Sequence, residues 1–312
     1  MKSMMDSVFK VVLGVELDNI CGTNQVGTRF SNSFDEANEL TFYGYVDLFW
    51  KAKRFLNVGS EAKLRNSIKV VDQYVNKVIQ SKIEEIHQLQ EVSVPMKEGD
   101  VLSRFLELRK TDPKYLKDII LSFIIAGKDT TALTLSWFLY MLCKHPPIQE
   151  KIAQEVKETT KARDASTLDE LAASITEESL DKMQYLHAAL TETLRLYPPV
   201  PVDGKLCLSD DTWPDGFKDF RPERWLDENG IFCPESPFKL TAFQAGPRVC
   251  LGKDFAYRQM KIFAAILLSS FTFKLSDENK AVNYRTMINL HIDGGLHVHA
   301  SHRLGHGKLL VA

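Results

Sequence analysis

Between Asp112-Pro113 and His145-Pro146-Pro147 the chain is apolar almost all the way round. An aspartate followed by proline makes a good helix start, because the side chain caps the first turn and the proline ring is already set for it. The double proline signals the end. The spacing predicts a helix from residue 113 to about residue 143. A helix without a broad polar face has to be enclosed by other elements. With 312 residues, 44% hydrophobic and 26% charged, the chain is long enough to enclose one. No run reaches the roughly 18 consecutive apolar residues of a membrane span. The most apolar windows, 119–126 and 262–268, are short and flanked by charge. Residues 8–15 are interrupted by Lys10 and make a poor signal-peptide core, so neither anchor nor export signal is expected.

Helical periodicity dominates elsewhere. Residues 56–90 carry Leu64, Ile68, Val71, Val75, Ile79, Ile83 and Ile86 at three- and four-residue steps, a long amphipathic helix. A loop with Pro95 and Gly99 follows over 91–100. Further helices are expected over 148–161, 183–197 and 252–270, with a capping box at Thr167 to Glu170. Residues 205–238 are rich in Pro, Gly and Asp and show little periodicity. Residues 284–299 alternate and contain Asp293-Gly294-Gly295, read as a hairpin turn. No internal repeat is present. The expected fold is mainly α with small β elements.

Charge and cysteine content narrow the function. Lys and Arg number 39 against 41 Asp and Glu, so the balance carries no electrostatic footprint for nucleic acid. Five scattered cysteines form no disulfide framework, and a reducing setting with a free thiol fits.

Three motifs carry chemistry. In Phe243-Gln-Ala-Gly246-Pro-Arg248-Val-Cys250-Leu-Gly252 a cysteine sits on a glycine-flanked loop just before a helix. Backbone N–H groups there favour a thiolate. Gly246 and Gly252 permit close approach of a flat ligand or positive φ, and Arg248 offers a fixed cation. In Glu192-Thr-Leu-Arg195 the i,i+3 spacing pairs opposite charges among apolar neighbours, so a buried pair with further partners is expected. In Ala126-Gly127-Lys128-Asp129-Thr130-Thr131 a glycine and polar side chains interrupt the central helix. A helical glycine costs about 1 kcal/mol relative to alanine, so a local compensation is expected.

These motifs, with Pro222-Glu223-Arg224-Trp225, resemble those of the cytochrome P-450 family of haem-thiolate monooxygenases. The resemblance implies a partial cytochrome P-450 fold, with Cys250 as the axial ligand of a haem b iron. Arg248 would pair with a haem propionate, and Phe243 would pack beside the cysteine loop. Glu192, Arg195 and Arg224 would form a structural network beneath it. Thr130 would hold dioxygen and a water by hydrogen bonds, and Asp129 would relay protons as a general acid. Electrons would come from NADPH through a reductase. Near the cysteine, Lys239, Arg248, Lys253, Arg258 and Lys261 read mostly as the solvated face of a helix, and in their functional version as a basic patch that docks an acidic flavoprotein reductase. Five histidines near the C-terminus (His291, His297, His299, His302, His306) lack a ligand spacing and read as strand and tail residues.

The hexapeptide at 126–131 together with Tyr197-Pro-Pro-Val-Pro-Val-Asp-Gly204 is similar to the plant fatty-acid ω-hydroxylase branch. By analogy of position Phe123, Ala126, Gly127, Val200, Val202 and the turn at 290–294 would line the substrate pocket. Relative to that family the chain reads as a single partial haem domain, 1–312. The N-terminal anchor, a small sheet and several helices of that family are expected to be missing, and an internal deletion is expected near 216–218. Residues 196–221 are about half the stretch the family places there. The full-length family implies the endoplasmic reticulum membrane, whereas this chain, without an anchor, reads as soluble or of open location. The leading reading is a monooxygenase that hydroxylates an apolar substrate. The alternatives are an inactive truncated product that keeps the motifs and, more weakly, a helical scaffold.

Overall fold

The computed structural model describes residues 1–20, 24–91, 99–107, 112–160, 168–202, 219–286 and 288–303. The chain falls into two compact units, 1–129 and 130–312. The first contains α1 (Lys2–Leu13), α2 (Gln25–Val46), α3 (Trp50–Leu56), α4 (Gly59–Glu91) and α5 (Val101–Glu107). It also holds the first half of α6 (Pro113–Lys144). Its core gathers Val8 and Phe9 of α1, Phe30 of α2, Val75 of α4, and Ile120 and Ile124 of α6. Of residues 8–15, read above only as a poor leader, Val8, Phe9, Val12 and Leu13 lie on the buried face of the amphipathic α1. The predicted helix at 56–90 starts three residues later, because Leu56 closes α3 and Asn57 caps it in the left-handed region.

The second unit takes the rest of α6, then α7 (Pro146–Thr160), α8 (Leu168–Ser174), α9 (Glu177–Lys182), α10 (Gln184–Leu196) and α11 (Lys253–Ser270). Short 3-10 turns at Pro222–Trp225, Thr241–Phe243 and Gly246–Arg248 lie between α10 and α11. Phe138 and Leu142 of α6, Ile152 of α7, Leu186 and Leu190 of α10, and Met260 and Leu268 of α11 form its core. The double proline does stop α6, yet Pro146 opens α7 two residues before the expected start. Proline is tolerated in a first turn, where its missing N–H has no partner to lose. The capping box expected at Thr167 cannot be placed, since Thr167 lies outside the described residues. One forms instead at Thr176 and Ser179, at the start of α9.

Two small antiparallel sheets complete the unit. β1 (Phe271–Leu275) pairs with β4 (Val298–His302), and β2 (Tyr284–Thr286) pairs with β3 (Leu290–Ile292). Asp293-Gly294-Gly295 is therefore not a hairpin turn between partners. Both glycines have positive φ, but they carry the chain from β3 of one sheet to β4 of the other. Local turn chemistry was read correctly as a reversal; which strands it joins depended on the pairing of β4 with distant β1.

By length and composition α6 is the one helix among the described residues that could cross a membrane. Its apolar side chains contribute to the cores of both units, each on its own half.

A cysteine loop and a buried carboxylate in the second unit

Glu192 gathers several donors in the second unit. It is 0% exposed and lies on the inward face of α10. Its carboxylate accepts from Arg195 Nε and Nη2 (2.8 and 2.9 Å), Arg224 Nε (2.8 Å), Trp225 Nε1 (2.8 Å) and the backbone N–H of Arg221 (2.9 Å). Burial by itself would raise the carboxyl's pKa, but these donors outweigh it and hold it below the usual range. Both arginines also donate to the Asp219 carbonyl, tying the 3-10 turn at Pro222–Trp225 to α10. The structure thus brings together Glu192, Arg195 and Arg224, and adds two donors that sequence reasoning missed. An indole and a backbone N–H leave no charge pattern; the adjacent Trp225 in the quoted motif was the available signal.

The cysteine loop hangs between that turn and α11. Cys250 N–H donates to the Phe243 carbonyl at 2.8 Å, closing the loop, and Val249 N–H donates to the Gly246 carbonyl. Gly246 has φ of +69°, a backbone region that costs a side-chain-bearing residue about 1–2 kcal/mol. Gly252 has an ordinary φ of −89°. A Cβ built there would stand 3.9 Å from Cys250 Sγ, in ordinary contact. Cys250 is a free, exposed thiol, flanked by exposed Val249, Arg248 and Leu251, the last 95% exposed. Phe243 packs on the core through Tyr257, their rings 5.4 Å apart.

Of the five cations assigned to a basic patch, Lys261 does not belong to a surface. It is 6% exposed, because helical periodicity puts it inward beside Tyr257 and Ala265, and its ammonium donates to the Leu180 carbonyl at 2.7 Å. Burial lowers its pKa to about 8. Lys239 pairs with Glu235 at 2.9 Å and Arg258 pairs with Glu177. Lys253 lies 6.0 Å over the Phe243 ring.

The interrupted helix behaves differently on the two sides of the unit boundary. In the first unit Gly127 faces α1: a Cβ there would stand 3.0 Å from Val8 Cγ2. That close approach is the compensation expected for a helical glycine. Lys128 is 1% exposed and pairs with Asp35 of α2 and with Asp129, 3.1 Å away. Sequence reasoning passed over Lys128, although a lysine inside an apolar helix demands a counter-charge. Phe123 and Ala126 are exposed. In the second unit the Thr130 carbonyl accepts from Thr134 Oγ1, and Val200 and Val202 are exposed. The segment carrying them is anchored where the Leu290 N–H donates to the Pro199 carbonyl at 2.9 Å. Trp137 in turn stacks on Tyr197 (4.2 Å) and donates to the Leu290 carbonyl. A cavity of about 280 Å³ lies at the ends of β1 and β3, lined by Leu275, Asp277, Lys280, Ile292 and His297; the cysteine loop does not line it. Among the described residues no three His, Cys, Asp or Glu side chains gather as a metal site. The expected deletion near 216–218 lies outside the described residues, as does His306.

A profile of the cytochrome P450 family matches residues 1–218 and 205–297. The chain belongs to the cytochrome P450 family. It is 43% identical to cytochrome P450 704C1 of Pinus taeda, over 97% of this chain and 66% of the pine protein. Identity to cytochrome P450 704B1 of Arabidopsis thaliana is 38%, over 97% of this chain and 68% of that protein. Cytochrome P450 86B1 of Arabidopsis thaliana is 35% identical over 94% of this chain and 60% of its own length. The chain thus spans about two thirds of these curated relatives. The pine alignment runs over 347 positions against 312 residues here, so the relative carries residues with no counterpart.

The cytochrome P450 family uses haem iron, and the donor set fits one. A free thiol stands on a loop whose two glycines leave bare backbone beside it, with exposed apolar side chains and an arginine alongside. Such a surface suits a flat, apolar group with an anionic edge.

Proposed function

We propose that this chain is the haem-binding part of a monooxygenase that hydroxylates an apolar substrate, with Cys250 as the thiolate ligand. The observation that carries this reading is the Cys250 loop: an exposed free thiol closed onto Phe243 and flanked by Gly246 and Gly252. Bound haem b supplies iron that activates dioxygen, with electrons from NADPH delivered through a reductase. Cys250 Sγ would hold the iron as the thiolate and Arg248 would pair with a propionate, while Phe243 packs the loop against the core. Thr130 Oγ1 would orient dioxygen and a water, and the Asp129 carboxyl would supply protons there. Glu192, Arg195 and Arg224 keep the supporting turn in place.

The substrate in this reading is a long-chain fatty acid, hydroxylated at or near its ω end. Support comes from the motif at 126–131 and the Tyr197 to Gly204 segment. By their positions in those motifs, Phe123, Ala126, Gly127, Val200 and Val202 are the residues this reading assigns to the substrate. The reading takes 1–312 as one partial haem domain with a deletion near 216–218, supported by an alignment longer than the chain. That same alignment favours a second reading, a product that keeps the motifs without a working pocket.

One spectrum decides. The purified chain is reconstituted with haem, reduced and exposed to carbon monoxide. A thiolate-type Soret band, absent in Cys250→Ser, is expected; no such band in the wild type overturns the reading.

A further inference from the structure

Three rings connect α10 to the cysteine loop. Tyr257 lies one turn into α11 and is 5% exposed. Its ring stacks on His187 of α10 (4.2 Å between centroids, 13° between planes) and contacts Phe243 at 5.4 Å. Its hydroxyl is hydrogen-bonded to Thr191 Oγ1 at 2.9 Å, and Thr191 is itself held to the His187 carbonyl. On the far side His187 contacts Phe232 at 4.2 Å. Phe243 is the residue whose carbonyl accepts the Cys250 N–H. The path from a helix clamped by the Glu192 network to the backbone beside the sulfur is therefore continuous, and it passes through Tyr257.

We infer that Tyr257 is a positioning residue for Cys250, transmitting the fixed position of α10 to the cysteine loop through its ring. From Gly246 to Leu251 the side chains of the loop are exposed, and the Val249 and Cys250 N–H groups bond within it. An exposed loop with few packed contacts opens easily unless an anchor restrains it. The Phe243–Tyr257 contact is such an anchor, placed on the residue that bonds the cysteine. The ring does this work; the hydroxyl only sets its rotation. The inference rests on the haem-thiolate reading for its consequence, but not for its geometry.

The test compares Tyr257→Leu, which removes the ring, with Tyr257→Phe, which keeps it. In haem-free protein amide hydrogen exchange is followed peptide by peptide, because the Cys250 N–H is protected by its bond to the Phe243 carbonyl while the thiol is already exposed. The Cys250 amide in Tyr257→Leu is expected to exchange about threefold to tenfold faster than in wild type, the factor that one lost aromatic pair yields. The Gly14 N–H, bonded to the Lys10 carbonyl in the first unit, should exchange unchanged, and Tyr257→Phe should exchange like wild type. After haem loading, Tyr257→Leu should show a smaller share of the thiolate-type Soret band with carbon monoxide, and Tyr257→Phe should recover it. Wild-type exchange of the Cys250 amide in Tyr257→Leu overturns the inference. If Tyr257→Leu does not fold by circular dichroism, Phe243→Leu takes its place, since Phe243 is only partly buried and should loosen Cys250 alike. If wild type takes up no thiolate-ligated haem, the proposed function fails while the exchange rates still decide the role of Tyr257.

Discussion

At the scale of single residues, the energetics concentrate where charge is buried. Glu192 accepts five hydrogen bonds in an apolar surround, so removing it strands two arginines, an indole and a backbone N–H together. Breaking such a site by deleting one partner costs roughly 3–5 kcal/mol. Glu192→Ala is expected to lower the unfolding free energy from urea titration by that amount, read by tryptophan fluorescence; a change below 1 kcal/mol, the range of exposed pairs, would contradict the burial. His187 gives a pH signature. Burial between Phe232 and Tyr257 lowers its pKa from 6.5 to about 3. The unfolded chain therefore binds a proton that the folded one refuses, and stability falls as pH drops below 6.5 toward 3. Glu192, held below 4.5 in the folded state, adds to that loss only under more acid conditions. His187→Gln should flatten the melting temperature between pH 6.5 and 4.5, and an unchanged slope would remove His187 as the cause. Thr130→Ala, in haem-loaded protein with reductase, is expected to consume oxygen with less product per O₂; an unchanged ratio would refute the role proposed for its hydroxyl. The Glu192–Arg195 pair was legible from i,i+3 spacing, whereas Lys261 was misread as surface because lysine is so commonly exposed. Its inward direction follows from the phase of α11 against α9, which no single residue announces.

At the scale of elements, the cysteine loop separates two glycines that look alike in the motif. Gly246 is needed for its φ, with nothing within 4 Å of a built Cβ, whereas Gly252 has an ordinary φ and room for a methyl group. Gly246→Ala should therefore destabilise the haem-free protein by about 1–2 kcal/mol. Gly252→Ala should cost the haem-free fold little and show its effect, if the ligand approaches there, in haem affinity. Thermal melts and haem titrations of the pair check this; equal destabilisation would contradict the assignment. Helices with strong periodicity, α4, α7, α10 and α11, were legible to within a few residues. The turn at 293–295 was recognised as a reversal but given the wrong partners, because strand pairing between β1 and β4 spans the whole β2–β3 hairpin.

At the scale of the whole molecule, the chain carries the family's motifs on about two thirds of its relatives' length. A ligand that binds only the folded state stabilises it, by about 2.7 kcal/mol at a free concentration near 100 Kd. Haem is thus expected to raise the melting temperature of the wild type by several degrees and that of Cys250→Ser by much less. Equal shifts would mean that haem binds elsewhere. The sequence by itself determined the family and the helical class, because these are written in local periodicity and in residue types at fixed offsets. Only the tertiary structure decided that Trp225 and Arg221 complete the Glu192 site, that Gly127 makes room for Val8, and that Tyr257 links α10 to the cysteine. Each of those depends on which side chain arrives from a distant segment to fill a space or satisfy a buried polar group, and that is settled by packing rather than by neighbours along the chain.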